Sequence, residues 1–197
     1  MLVVSNSSRS AERRRLKCPG CNDFLLYCYC HNFRIIFTDG ACTNNGRPEA
    51  KAGIGVAYGN DDKSQLFLPI TDVVDEFPLR SNQRAELCAA RSGVEFLSKA
   101  NTQHSEDEAV AWIIATDSEY VVKRMTEWLP TWKRNGWRTS KGTKPANLDL
   151  FIALDDVVMT LEAKNVIIRF WHIPRGHNKL ADRIAKAAAN YGDEASV

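Results

Sequence analysis

No apolar stretch in this 197-residue chain reaches the roughly 18 residues that a membrane-spanning helix needs. The opening Met1–Val4 run is also too short for the core of a signal peptide. Charge of one sign is missing: 26 Lys and Arg stand against 24 Asp and Glu, a net charge of +2. Whole-chain charge therefore points to no partner, and only local clustering can. There is no internal repeat and no low-complexity block, which excludes solenoids and tandem arrays. The cysteines do not make a disulfide framework, because four of the six crowd into Cys18, Cys21, Cys28 and Cys30 while Cys42 and Cys88 stand apart. These absences predict an intracellular protein in a reducing compartment, nuclear or cytoplasmic with the mitochondrion left open, acting as a monomer without a membrane partner.

The chain does hold enough apolar material for one core, with 44% of its residues hydrophobic. Residues 1–17 are polar and end in Arg13-Arg14-Arg15, so they read as a disordered basic tail. Residues 18–32 form a Cys-rich extension, 33–191 the folded domain and 192–197 a short C-terminal tail. Within the domain, strand-like stretches at 33–39, 53–58 and 65–70 are separated by turn signals at Asn44-Asn45-Gly46 and Gly59-Asn60. Ser81 is a fitting N-cap for a helix whose Leu87, Ala90, Val94 and Leu97 make one apolar face. A buried strand at 110–115 follows, then a short helix at 118–125 and an amphipathic helix marked by Leu150, Leu154, Val157 and Leu161. A strand at 166–173 and a helix at 181–190 complete the domain. This order predicts an α/β domain: a mixed sheet of three antiparallel strands and then two parallel ones, with helices packed on it.

Four acids sit in settings suited to holding a metal: Asp39, Glu86, Asp117 and Asp182. Asp39 and Asp117 end the apolar runs 33–37 and 110–115, and parallel neighbours would bring both to the crevice at the carboxyl ends of the strands. Glu86 and Asp182 lie near the starts of helices, which need only bring them alongside. Magnesium prefers oxygen ligands and keeps several waters, so a carboxylate cage open to a substrate phosphate suits it. Two ions about 3.5–4 Å apart can activate a water on one side of a phosphodiester and stabilise the leaving oxygen on the other. Each acid taken singly reads equally well as a cap or a solvated surface charge.

Local charge appears between Lys123 and Lys144. Lys123, Arg124, Lys133, Arg134, Arg138, Lys141 and Lys144 face the single acid Glu127 and alternate with Trp128, Trp132 and Trp137. Such a segment suits a nucleic-acid backbone, because cations neutralise phosphates and tryptophans offer flat apolar surface. A charged helix whose tryptophans anchor it to the core has the same composition.

Taken jointly, Thr38-Asp39-Gly40-Ala41-Cys42, Asn82-Gln83-Arg84-Ala85-Glu86-Leu87, Thr116-Asp117-Ser118-Glu119-Tyr120-Val121 and Ala181-Asp182 resemble, in order, the motifs of the type 1 ribonuclease H family. The resemblance covers roughly residues 33–191. It implies the RNase H-like fold, with a mixed five-stranded sheet and helices on both faces, and hydrolysis of the RNA strand of RNA–DNA hybrids to 5′-phosphate and 3′-hydroxyl ends. Asp39, Glu86, Asp117 and Asp182 would ligate two Mg²⁺ or Mn²⁺ ions. Residues 128–140 are similar to the basic protrusion of cellular members, so Tyr120, Trp128, Trp132, Thr139 and Ser140 would line a DNA channel. Ser81 and Asn147 would bind a DNA phosphate; Arg80, next to them, does not align cleanly. Asn44, Asn45, Asn82 and Gln83 would reach the minor groove, where 2′-hydroxyls mark RNA, and Glu86 would accept a bond from one of them.

The segment 173–182 resembles the compact Pro-Arg-x-x-Asn-x-x-Ala-Asp version of the loop before the last aspartate, as in fungal-like members. His177 within it is either a proton shuttle or a surface histidine. Cys18, Cys21, Cys28 and Cys30 either hold a structural Zn²⁺ or pack as reduced thiols beneath Phe24, Leu25 and Leu26. Two other readings stay open beside hybrid hydrolysis: a hybrid-binding protein impaired in catalysis, and a retroelement-derived nuclease of the same fold.

Overall fold

A computed structural model of the protein describes residues 33–59, 61–100 and 110–191. The Cys18, Cys21, Cys28 and Cys30 cluster, both predicted tails and Asn60 lie outside the described residues. The chain forms β1 (Phe33–Thr43), β2 (Lys51–Ala57), β3 (Gln65–Pro69), α1 (Asn82–Ala100), β4 (Val110–Thr116) and α2 (Glu119–Lys123). A π-helical turn (Arg124–Trp128) leads into α3 (Leu129–Arg134), followed by α4 (Leu148–Glu162), β5 (Val166–His172), a 3-10 turn (Arg175–His177) and α5 (Lys179–Tyr191).

The strands make one five-stranded sheet in the order β3-β2-β1-β4-β5. The first three strands are antiparallel to one another, and β4 and β5 run parallel to β1. The predicted sheet is thus observed. One boundary differs: Asp39 does not end its strand, because β1 continues to Thr43 by pairing with β2, Asp39 facing Gly55. The parallel pairing of β1 with β4 does stop earlier, at Phe37 and Ala115. Asp39 and Asp117 each lie two residues beyond that last pair, so the register sets them level on neighbouring strands and on one face. The helix expected at 118–125 also runs on through the π-helical turn to Arg134, where buried Met125, Leu129 and Trp132 supply the apolar face that lengthens it.

Side-chain alternation assigns the helices to two faces. Thr38 meets α1 at Gly93, whereas Asp39, the next residue, shares its face with Gly55, against which α5 lies. α4 packs beside α1 and over β5, while α5 covers β1, β2 and β3 on the opposite face. The main core between sheet and helices contains Ile36, Ile54, Val56, Leu87, Val94, Leu97, Ile114, Phe151 and Leu154. On α5 four of the five buried residues, Ala181, Ala185, Ala188 and Ala189, are alanines, Ile184 being the fifth.

Small residues there allow an unusually close approach. A Cβ at Gly53 or Gly55 would stand 2.2 Å from backbone atoms of α5, and one at Gly40 would stand 2.1 Å from the Ala85 carbonyl carbon of α1. Both helices therefore rest directly on the sheet backbone, at the level where Glu86 and Asp182 begin their helices. Gly40→Ala is expected to push α1 away and destabilise the fold by about 2–3 kcal/mol, whereas Gly176→Ala, which meets nothing within 4 Å, is expected to leave stability unchanged; urea denaturation of the two variants checks this.

Candidate active site

The level register and the close helices bring four carboxylates together. Asp39, only 6% exposed, hydrogen-bonds the Asp117 carboxyl, and its pKa is raised from 3.8 to about 7, by burial first and then by the charges of Asp117 and Asp182. Glu86 accepts the Gly40 backbone N–H, and its pKa is raised to about 9, again by burial first and then by Asp39 and Asp117. Its Oε2 is buried without a hydrogen-bond partner. Burial would also raise Asp182, but hydrogen bonds from Lys186 and Arg175 outweigh it and hold this carboxyl below its ordinary value. Lys186 Nζ lies 2.8 Å from Asp182 Oδ2 and Arg175 Nη2 lies 3.0 Å from Oδ1. The Arg175 Nε also stands 4.0 Å from Asp117 Oδ2.

Asn178 ties these parts to one another, although it was read from the sequence only as part of a motif. It is 1% exposed, and its Nδ2 donates both to the Thr38 carbonyl (3.0 Å) and to Asp117 Oδ1 (2.7 Å). One amide thus links β1, the residue after β4 and the approach to α5. His172, at the end of β5, places Nε2 3.2 Å from the Asp117 carbonyl. Arg175, Asn178 and His172 were missed as site residues because nothing local distinguishes them; only their spacing ahead of Asp182 carried a signal. His177 is exposed on the 3-10 turn. Among the described residues no three His, Cys, Asp or Glu side chains already close on a single ion position.

A second group gathers at the start of α1. Ser81 Oγ accepts the Arg84 N–H, as an N-cap should, and Asn45 Oδ1 accepts the Asn82 N–H at 2.9 Å. Asn44, at φ 49°, stands beside it in the turn, and Asn82 and Gln83 are exposed. Buried Arg84 forks onto Asp75 (2.8 and 2.6 Å) and reaches Asp149 (2.6 Å) and Asn147 Oδ1 (3.4 Å). Asn147, left-handed at φ 56°, donates from Nδ2 to the Tyr120 hydroxyl at 2.9 Å. Arg80 turns inward onto Asp72 and the carbonyls of Asp75 and Phe77, so it offers no guanidinium to this group.

The protrusion corrects one expectation. Trp132 is 5% exposed and packs edge-on against Phe151 at 5.4 Å, so it anchors the segment and presents little channel surface. Its neighbour Trp128, 44% exposed, carries the accessible ring. Lys133 ion-pairs with buried Asp155 of α4, a second anchor. Thr139 bonds Thr143 through their hydroxyls at 2.9 Å, and Ser140 is exposed.

A mixed sheet of this order, with an acid cluster at the end of its parallel strands, defines an RNase H-like α/β domain. The RNase H family model matches residues 31–190, and the chain belongs to that family. It is 34% identical over 164 residues to ribonuclease H1 of Rattus norvegicus, covering 81% of this chain and 51% of the relative. It is 37% identical over 159 residues to a ribonuclease H of Cyanothece sp., covering 78% of this chain and 87% of the relative. The chain spans about half the length of the mammalian relatives it matches. The solved structure of LC11-RNase H1 from compost superposes with a TM-score of 0.56 at 23% identity, covering 81% of this chain and 96% of that one. The same protein has been solved in complex with an RNA/DNA hybrid and matches at a TM-score of 0.54 and 23% identity, over 79% of this chain and 96% of that one. These structures share the fold.

The raised carboxyls make stability depend on pH in a defined direction. Between its unfolded pKa near 3.8 and its folded value of about 7, Asp39 holds a proton in the folded state that it releases on unfolding, and Glu86 does so between 4.5 and about 9. The folded state binds more protons, so stability falls as pH rises through that window. Without divalent metal, Tm is expected to drop from pH 5 to pH 9, Asp39→Asn and Glu86→Gln are each expected to raise it at pH 8, and the gain is expected to vanish below pH 4; calorimetry in EDTA across pH checks this.

Proposed function

We propose that this chain hydrolyses the RNA strand of RNA–DNA hybrids in a two-metal site formed by Asp39, Glu86, Asp117 and Asp182, leaving 5′-phosphate and 3′-hydroxyl ends. The observation that carries the reading is the mutual coupling of the acids, Asp39 with Asp117 and Asp182 and Glu86 with Asp39 and Asp117, in which the positive charge of Arg175 offsets the burial of Asp39 and Glu86 only in part. The unpartnered Glu86 Oε2 fits the same need. Hard oxygen donors of this kind suit Mg²⁺ or Mn²⁺, and members of the family generally use divalent metal ions. When bound, such ions supply Lewis-acid activation of water and neutralise charge at the leaving oxygen.

The residues of the chain do the rest. Asn178 turns one Asp117 oxygen toward itself and so fixes the direction of the other. Arg175 lends positive charge between Asp117 and Asp182, where a scissile phosphate adds negative charge. Asn44, Asn45, Asn82 and Gln83, drawn together at the start of α1, offer donors and acceptors to a minor groove in which 2′-hydroxyls separate RNA from DNA. Ser81 and Asn147 bind a phosphate of the DNA strand, with the Asn147 amide held by Arg84 and Tyr120. Trp128 gives an apolar face to deoxyribose, and Thr139 and Ser140 border it. His177, exposed on its turn, is free to carry protons during product release. Ribonuclease H1 relatives and a hybrid complex of a family member support the choice of substrate.

Incubation with Mg²⁺ and labelled RNA–DNA, RNA–RNA and DNA–DNA duplexes tests this reading. Only the hybrid is expected to be cut, and Asp117→Asn is expected to lower the rate at least about a thousandfold, roughly 4 kcal/mol of barrier. Equal activity in the variant would remove Asp117 from the site, tight hybrid binding without cutting would leave a binding protein, and cleavage of the DNA duplex would mark another nuclease of this fold.

A further inference from the structure

Most cations of the basic segment are already engaged within the protein. Lys123 pairs with Glu119 at 2.6 Å, Lys133 with Asp155, Arg134 donates to Thr131 Oγ1 at 3.3 Å, and Arg138 donates to the Gly142 carbonyl at 2.8 Å. Lys141 and Lys144 are exposed on the loop that follows. Arg124 differs from all of these. Its guanidinium carbon lies 3.7 Å from the Tyr120 ring centroid and 4.6 Å from that of Trp128, and among the described residues no carboxylate pairs with it.

Tyr120, Arg124 and Trp128 succeed one another at four-residue spacing and form a stripe of ring, cation and ring. Both rings are themselves fixed. Tyr120 packs against Phe151 at 5.8 Å and accepts the Asn147 amide, while Trp128 meets Trp132, which packs on Phe151. Arg124 also opens the π-helical turn that leads to Trp128, a feature that recurs at functional sites. The result is a planar cation lying over two aromatic rings, its N–H groups donating to no protein acceptor among the described residues. A flexible surface arginine would have to be ordered on binding, whereas this one is ordered beforehand.

We propose that Arg124 is a nucleic-acid contact, its guanidinium edge donating to a backbone phosphodiester of the strand that runs over Trp128. The contact rests on the hybrid-binding reading above and adds a residue to it. The ligand chemistry is a phosphodiester, which on that reading belongs to the DNA strand.

The test uses the full chain carrying Asp117→Asn, in EDTA, with a fluorescent RNA–DNA hybrid titrated by anisotropy over a salt series. Adding Arg124→Gln is expected to weaken binding about tenfold and to flatten the slope of log K against log salt by about 0.9, the share of one phosphate. Arg124→Lys, which keeps the charge without the planar stack, is expected to restore the slope but not the full affinity. Single neutral methylphosphonate linkages walked along each strand are expected to reveal one position, on the DNA strand, that weakens the parent protein and no longer weakens Arg124→Gln. An unchanged slope, or the same methylphosphonate profile in both proteins, would overturn the proposal, including where Arg124→Gln lowers Tm. Absence of hybrid binding in the parent would instead sink the functional reading and this contact with it.

Discussion

Everything at the acid cluster depends on how closely two helices lie on the sheet. Gly40 admits the backbone of α1 and Gly53 and Gly55 admit that of α5, at distances where any Cβ would overlap backbone atoms. The Glu86 and Asp182 side chains are short, and an extra helix diameter of separation would leave them out of reach of Asp39 and Asp117. Glycines in the strands and alanines along α5 therefore act on the chemistry without touching it. They exchange the apolar burial that larger side chains would give for proximity of four charges.

That proximity is electrostatically unfavourable in the bare protein. Asp39 and Glu86 are pushed toward their neutral forms by burial and by one another's neighbours, while Asp182 is kept ionised by Arg175 and Lys186. At neutral pH Glu86 thus keeps its proton and Asp39 stands near half-protonation, whereas Asp182, supplied with two cations, is ionised. In the proposed two-metal site, divalent cations would offset Asp39 and Glu86, while Arg175 and Lys186 already offset the charge of Asp182. Such opposition between neighbouring carboxyls is a familiar mark of functional sites, and Asn178 keeps it in register by holding Asp117 to β1.

Away from the acids, the same logic of prior ordering shapes the face proposed to meet the substrate. Arg84 wires the start of α1 to Asn147, Asn147 holds Tyr120, and Phe151 supports both Tyr120 and Trp132. A chain of contacts thus runs from the core to the exposed Trp128 ring and the Arg124 guanidinium. The tryptophans of the protrusion differ in place, Trp132 buried as a core anchor and Trp128 left exposed at the surface.

Much of this was legible beforehand. The β1–β5 order, the N-cap at Ser81 and the four acids follow from periodicity, capping chemistry and motif spacing, which are local properties and therefore carried by adjacent residues. Local pattern could not show that Asp39 lies within a longer strand, because the extension comes from pairing with β2, nor that Trp132 is buried, because an amphipathic tryptophan suits surface and core alike. The roles of Asn178, Arg175 and Arg124 arise from neighbours far apart in the chain or from ring stacking that depends on Phe151. The amino-acid order determined which residues could form strands, helices and ligands; only packing decided which charges meet, which donors are used up and which are left for a partner, since electrostatic and hydrogen-bond energies depend on distances that no sequence contains.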